Sequence, residues 1–167
     1  MKKSVILIGM PGCGKSTVGV LLAKTLCLGF TDTDLVLQAR EHRPLQHILN
    51  ESGLVFFLAR EEAAVLSLLP AQQVVATGGS VVLSAAAMEH LRRFGSPVFL
   101  DVPVPELERR IRNIQTRGIV LEPGQTLQDL MDIRRPLYLQ YADYVVNAGN
   151  ADPEAIVEDL AVWYRHL

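Results

Sequence analysis

Only two cysteines, Cys13 and Cys27, occur in the 167 residues, too few for a disulfide framework and in keeping with a reducing compartment. Neither sign of charge dominates, since 16 lysines and arginines stand against 18 aspartates and glutamates. That balance argues against broad electrostatic capture of nucleic acid or of an anionic membrane and confines any anion site to a local cluster. Long apolar runs are missing too: none approaches the roughly 20 residues of a membrane helix. The stretch Ser4 to Met10 behind Met1-Lys2-Lys3 imitates a signal sequence but breaks at Pro11-Gly12, too early for one. The four histidines, His42, His47, His90 and His166, have no paired spacing of the kind zinc requires. The expectation is a cytoplasmic, monomeric protein whose partners are small molecules, with no nucleic acid and no membrane among them.

What is present is apolar material for a core, 49% hydrophobic residues against 20% charged, which fits one domain spanning residues 1–167. Val5-Ile6-Leu7-Ile8 is a short β-branched run that suits a strand buried on both faces. From Ser16 the positions Val18, Leu21, Leu22 and Leu26 recur at helical spacing, and Gly29 falls where a helix stops. Gly29 to Asp32 continues as a second strand. Helical segments then run from about Asp34 to Leu69 with a break near Pro44, followed by a strand at Gln73 to Thr77, a helix from Ser84 to Phe94 and a strand at Pro97 to Asp101. A helix from Pro105 to about Thr116, a glycine- and proline-containing break, a helix to about Tyr141, a strand at Tyr144 to Val146 and a last helix from Asp152-Pro153 complete the order. Strands alternating with helices predict an α/β fold, a parallel sheet with helices on both faces and ligands at the carboxyl ends of the strands.

Gly9-Met10-Pro11-Gly12-Cys13-Gly14-Lys15-Ser16 has the spacing of a phosphate-binding loop and stands between a strand and a helix, where that mechanism needs it. Glycines let backbone N–H groups turn inward, the helix start adds its positive dipole end, Lys15 reaches the β/γ-phosphates and the Ser16 hydroxyl suits Mg²⁺. Gly12, Cys13, Gly14, Lys15, Ser16 and Thr17 are the expected nucleotide contacts, with ATP and Mg²⁺ as cofactors. Asp32-Thr33-Asp34 closes the second strand, so its carboxylates are expected at the same sheet edge, one for Mg²⁺ and one to orient or deprotonate an acceptor hydroxyl. Helix capping is the competing reading for either aspartate. Arg109, Arg110, Arg112 and Arg117 precede a stretch with little core-forming pattern, and Arg134-Arg135 follow it. A charged helix face accounts for Arg109 and Arg112. Arg117, at the base of a lid over residues 112–125, is placed to reach a transferring phosphoryl group. Arg134, shortly before Pro136, is suited to a substrate anion.

These residues carry a resemblance to the shikimate kinase family along nearly the whole chain. The phosphate loop Gly9 to Ser16, the pair Asp32 and Asp34, the glycine turn Gly78-Gly79, the lid arginine Arg117 and the Arg-x-Pro-Leu-Tyr run Arg134 to Tyr138 fall in the family's order. The resemblance implies a three-layer P-loop kinase fold like that of nucleoside monophosphate kinases. It has a five-stranded parallel sheet, a substrate-binding helical region over about residues 33–70, and a lid. It further implies that Asp34 binds and activates the acceptor hydroxyl, Asp32 supports Mg²⁺, Gly78 and Gly79 shape the substrate turn, Arg134 grips the substrate carboxylate and Arg110 stacks on adenine. Lys15, Asp34 and Arg117 are then the catalytic set, and the reaction is transfer from ATP to the 3-hydroxyl of shikimate.

The acceptor side departs from the family pattern. Gly53-Leu54-Val55-Phe56-Phe57-Leu58-Ala59-Arg60-Glu61 has Leu58 where the family carries a second carboxylate-binding arginine and Leu54 where it carries a glutamate. The two are four apart, so a charged pair on one helix face becomes an apolar pair. Arg60 points about 200° away from position 58 and reads as a surface ion pair. Ser80 replaces the third glycine of the substrate turn. Losing one arm of a carboxylate clamp costs about 1.5–3 kcal/mol. The acceptor is therefore shikimate or another small hydroxylated metabolite fitting an apolar wall of Leu54, Phe57 and Leu58; a nucleotide-binding module without catalysis is the third reading.

Overall fold

The structure, a computed structural model, describes residues 4–111, 119 and 121–167. Strands β1 (Ser4–Ile8), β2 (Gly29–Asp32), β3 (Gln73–Ala76), β4 (Gly95–Asp101) and β5 (Tyr144–Asn147) alternate with helices α1 (Lys15–Leu26), α2 (Thr33–Glu41), α3 (Leu45–Leu66), α4 (Ala85–Phe94), α5 (Val104–Ile111), α6 (Leu127–Tyr141) and α7 (Pro153–Arg165). The strands make one parallel sheet in the order β2-β3-β1-β4-β5. Successive side chains of a strand point to opposite faces, and all five residues of β1 are buried, so both faces of the sheet are covered. This is the three-layer α/β arrangement the alternation predicts. Among the described residues, no helix is long and apolar enough to cross a membrane.

The main core gathers the central strands with Leu22, Met88, Leu91, Leu107 and Leu160 from the surrounding helices. A second apolar cluster, Leu37, Leu45, Ile48, Phe57 and Ala64, lies between α2 and α3, inside the region expected to bind substrate. Buried polar groups are tied down at the sheet: Thr77 donates both its N–H and its hydroxyl to the Leu7 carbonyl, at 3.2 and 2.9 Å.

Several expectations need correction. Asp34 does not end a strand. β2 stops at Asp32, and Thr33 and Asp34 already form the first turn of α2, because Asp32 Oδ1 accepts the Asp34 N–H at 2.9 Å and starts the helix there. The helix α3 is interrupted at Gly53, whose φ of 80° and ψ of 172° are not helical and suit a residue without a side chain. A single 3-10 turn at Val81–Leu83 was not expected. The helix expected to run to about Tyr141 does so through Pro136, although the missing proline N–H removes one helical hydrogen bond. Helix α5 is described to Ile111; its expected continuation to Thr116 lies outside the described residues, as do residues 112–118 and 120 of the expected lid.

Candidate active site

Parallel register decides which side chains meet. Leu7 faces Ala76, and Ala76 faces Asp32, so the segments after β1, β3 and β2 leave the sheet side by side. The loop after β1 turns into α1 through Gly14, which caps the helix at φ 100°, a conformation that favours glycine. Lys15 is buried, and its ammonium donates to the carbonyls of Gly9 and Met10 at 2.8 and 2.9 Å. The Ser16 hydroxyl donates to Asp32 Oδ2 at 2.6 Å. Asp32 thus has two tasks: one oxygen caps α2 and the other meets Ser16. The capping reading and the loop-side reading both hold for this residue.

On the outer side of the loop, Gly12, Cys13, Gly14 and Thr17 share a cavity of about 260 Å³ with Arg110, Ala151, Pro153 and Ile156. Arg110 spans its floor. Its Nε donates to Glu106 at 2.7 Å, Nη1 to the Cys13 carbonyl at 3.3 Å and Nη2 to the Gly149 carbonyl at 3.0 Å. The guanidinium plane is therefore held between the phosphate loop and the turn before α7. Arg109 only pairs with Glu106 on the surface, at 2.8 Å, the charged-face role expected of it. Arg112 and Arg117 lie outside the described residues.

On the inner side, a polar cleft brings together Lys15, Ser16, Asp34, Glu61, Gly78, Gly79 and Arg134. Gly78 fits because it has no side chain: a Cβ there would stand 1.9 Å from Glu61 Oε1 and 2.9 Å from Asp34 Oδ1. Its N–H donates to the Thr33 hydroxyl at 3.0 Å. The Tyr138 hydroxyl donates to the Gly79 carbonyl at 2.5 Å, while its ring stacks on Phe99 with centroids 4.9 Å apart. Burial pushes the Tyr138 phenol up, beyond its ordinary range. Arg134, only 2% exposed, lines the cleft, and its Nε finds no acceptor among the described residues. A buried donor left unmatched is costly, and an anionic ligand would complete it.

Sequence reasoning assigned no role to Thr33, Glu61 or Tyr138. Tyr138 had a usable signal, since it stands four residues after Arg134 and so shares its helix face. Glu61 also had one, as the glutamate retained three residues after the departing position 58; Thr33 had none, because its partner is 45 residues away in the chain.

Glu61 is buried beside Asp34, and burial first, with the Asp34 charge adding to it, raises its carboxyl from 4.5 to about 7. The Ser80 hydroxyl, which donates to Glu61 Oε2 at 2.5 Å, and the nearby Arg134 and Lys15 pull the other way. The folded state thus binds the Glu61 proton more tightly than the unfolded chain, and stability falls as pH rises from about 4.5 through 7. Replacing Glu61→Gln keeps an acceptor for Ser80 and removes the titration. Denaturant unfolding of the two proteins is expected to give similar stability at pH 4, with the variant gaining about 3 kcal/mol by pH 8. A pH-independent difference would show that Glu61 titrates as in the open chain.

The shikimate kinase family model matches residues 11–164, nearly the whole chain. The chain belongs to the shikimate kinase family. It is 36% identical over 167 residues to the shikimate kinase of Pseudomonas aeruginosa strain LESB58, covering 98% of this chain and 97% of that one. With the shikimate kinase of Paracidovorax citrulli it shares 37% over 166 residues, 95% of this chain and 90% of that one. Among solved structures, shikimate kinase from Acinetobacter baumannii in complex with shikimate matches with a TM-score of 0.90 at 29% identity, covering 99% of this chain and 94% of that one. A gluconokinase from Sinorhizobium meliloti, 16% identical with a TM-score of 0.63, shares the fold.

The departures of this shikimate kinase family member can now be located. Phe57 lines the central cleft, but Leu54 and Leu58 do not; they wall an adjoining cavity that Arg134 also lines. The expected wall of three residues is therefore split between two spaces. Arg60 pairs with Glu41 at 3.2 Å and covers the Phe56 ring at 4.9 Å, the surface ion pair predicted for it. Arg135 pairs with Asp101 at 2.7 Å, leaving Arg134 as the arginine of that dipeptide that reaches the cleft.

Proposed function

We infer that this chain is an ATP-dependent kinase that transfers the γ-phosphoryl group of ATP to the 3-hydroxyl of shikimate. The observation that carries this reading is the buried Arg134, whose Nε has no acceptor among the described residues, in one cleft with the Asp34 carboxylate and the phosphate-loop Lys15. An acceptor held there by a carboxylate at Arg134 presents a hydroxyl toward Asp34, between the anion site and the phosphate loop. The shikimate-bound relative of matching fold and the full-length similarity to shikimate kinases support the same acceptor.

In this reading Lys15 and the Gly12 to Thr17 backbone hold the triphosphate, and the Arg110 plane supports the adenine in the outer cavity. Asp34 takes the hydroxyl proton as the oxygen forms its bond to the γ-phosphorus and ADP leaves. Ser16 and Asp32 offer two hard oxygen donors 2.6 Å apart, a pair suited to Mg²⁺. When bound, Mg²⁺ neutralises charge on the phosphates. Gly78 and Gly79 line the substrate side, and Arg117, which lies outside the described residues, is assigned to the transferring group from its place in the sequence and from the family resemblance.

Release of ADP from MgATP with and without shikimate tests the reading. A shikimate-dependent rate is expected. ATP binding with ADP formation at background would overturn it and favour a different acceptor or a module that only binds nucleotide.

A further inference from the structure

Arg134 lines two spaces. One is the cleft that holds Asp34 and Lys15. The other, of about 200 Å³, opens between α3 and α6 and is walled by Leu54, Leu58, Leu83, Leu130 and Ile133, with Glu122 and Gln125 supplying its polar edge. A water molecule occupies about 30 Å³, so several carbon atoms fit. Leu83 and Ile133 are 44% and 54% exposed, apolar surface that a ligand would cover. Water in such a space is poorly held, and an apolar group that displaces it gains affinity.

The Glu61–Ser80 bond explains how this wall can be apolar. Position 58 lies three residues before Glu61 on the same helix face, so a basic side chain there would face the Glu61 carboxyl. In this chain Ser80 supplies the donor to Glu61 instead, and Leu58 is released to face hydrocarbon. Asp34 does not line the second cavity. A substituent reaching it must therefore sit at the carboxylate end of the acceptor, away from the hydroxyl that receives the phosphoryl group.

We propose that this cavity is an apolar subsite of the acceptor site, and that the enzyme phosphorylates hydroxy acids bearing a small hydrocarbon substituent on the carbon next to the carboxylate-bearing one, on the side away from the accepting hydroxyl, in preference to shikimate itself. The proposal rests on the kinase reading above. The transfer is unchanged: the acceptor oxygen bonds to the γ-phosphorus, the bond from that phosphorus to the bridging oxygen breaks to release ADP, and the hydroxyl proton passes to Asp34.

The test compares kcat/KM, by ADP release from MgATP, for shikimate and for shikimate analogues carrying methyl or ethyl on the ring methylene beside the carboxylate-bearing carbon, on the side away from the 3-hydroxyl. The protein as it stands is expected to gain about fourfold per added carbon, the usual yield of burying a methylene. Leu58→Arg is expected to reverse the order and to lower the KM for shikimate about tenfold. Leu54→Gln, at a partly exposed position, gives a second variant whose preference for the ethyl analogue should fall severalfold if Leu58→Arg does not fold. Transfer to shikimate with no gain for the analogues, or a preference unmoved by the variants, overturns the subsite and leaves the kinase reading standing. Transfer to neither acceptor class overturns both.

Discussion

Asp34→Asn is expected to lower turnover at least about a hundredfold, the scale of a lost general base, while ATP affinity stays within about twofold. The separation follows from position. Asp34 lies in the first turn of α2, in the cleft with Glu61, Gly78 and Arg134, and takes no part in the outer cavity of Gly12, Thr17 and Arg110. The helix start does not depend on its carboxylate either, because Asp32 caps α2 through the Asp34 backbone N–H, which asparagine keeps. An amide at position 34 retains the shape of the carboxylate but cannot accept a proton. Glu61 stands close by, but its Oε2 is already engaged by the Ser80 hydroxyl, so it is not expected to replace Asp34. ATP affinity from equilibrium titration and kcat from ADP release measure the two quantities independently. Equal losses in both would show that Asp34 serves structure instead of proton transfer.

The parts of this site that could be read from the sequence are those where the chain itself imposes the chemistry. Gly9 to Ser16 needs no distant partner to be recognised, since its glycines, lysine and hydroxyl act within eight residues. The alternation of strands and helices followed from runs such as Val5 to Ile8, whose continuous apolar character requires two covered faces. Contacts across long sequence separations were out of reach. The hydroxyl of Tyr138 finds Gly79 across 59 residues and Ser80 finds Glu61 across 19; neither bond leaves a periodic trace. The same limit explains Leu54 and Leu58. Their spacing showed that they share a face, but only the fold shows that they line a cavity with Leu83, Leu130 and Ile133, apart from the cleft that Phe57 lines. The boundary between strand and helix at Asp32-Thr33-Asp34 was blurred for a local reason: Asp32 both ends β2 and caps α2, and the sequence does not say where one stops until the hydrogen bond is seen.

Arg134→Met should raise the KM for shikimate about a hundredfold or more while kcat at saturating acceptor falls far less. The expectation is large because the proposed reading concentrates recognition of the acceptor carboxylate in one guanidinium. Leu58 stands where a second arginine would share the load, Arg60 is turned to Glu41 and Arg135 to Asp101. Truncating one partner of a buried, hydrogen-bonded charge pair costs about 2–5 kcal/mol, which spans a hundredfold in affinity. Methionine is of similar length and apolar, so the buried position is refilled without an unpaired charge, a replacement that proteins commonly tolerate. Glu61 loses a neighbour that favours its ionised form and simply stays protonated to higher pH. Tyr138 keeps its bond to the Gly79 carbonyl, so the substrate turn remains anchored. Arg134→Lys retains charge but loses the planar fork and should fall between the two. Steady-state kinetics with shikimate varied at saturating MgATP provide the measurement. A loss confined to KM marks Arg134 as an anchor used equally in ground and transition states; an equal loss in kcat with KM unchanged would move it from substrate binding to the chemical step.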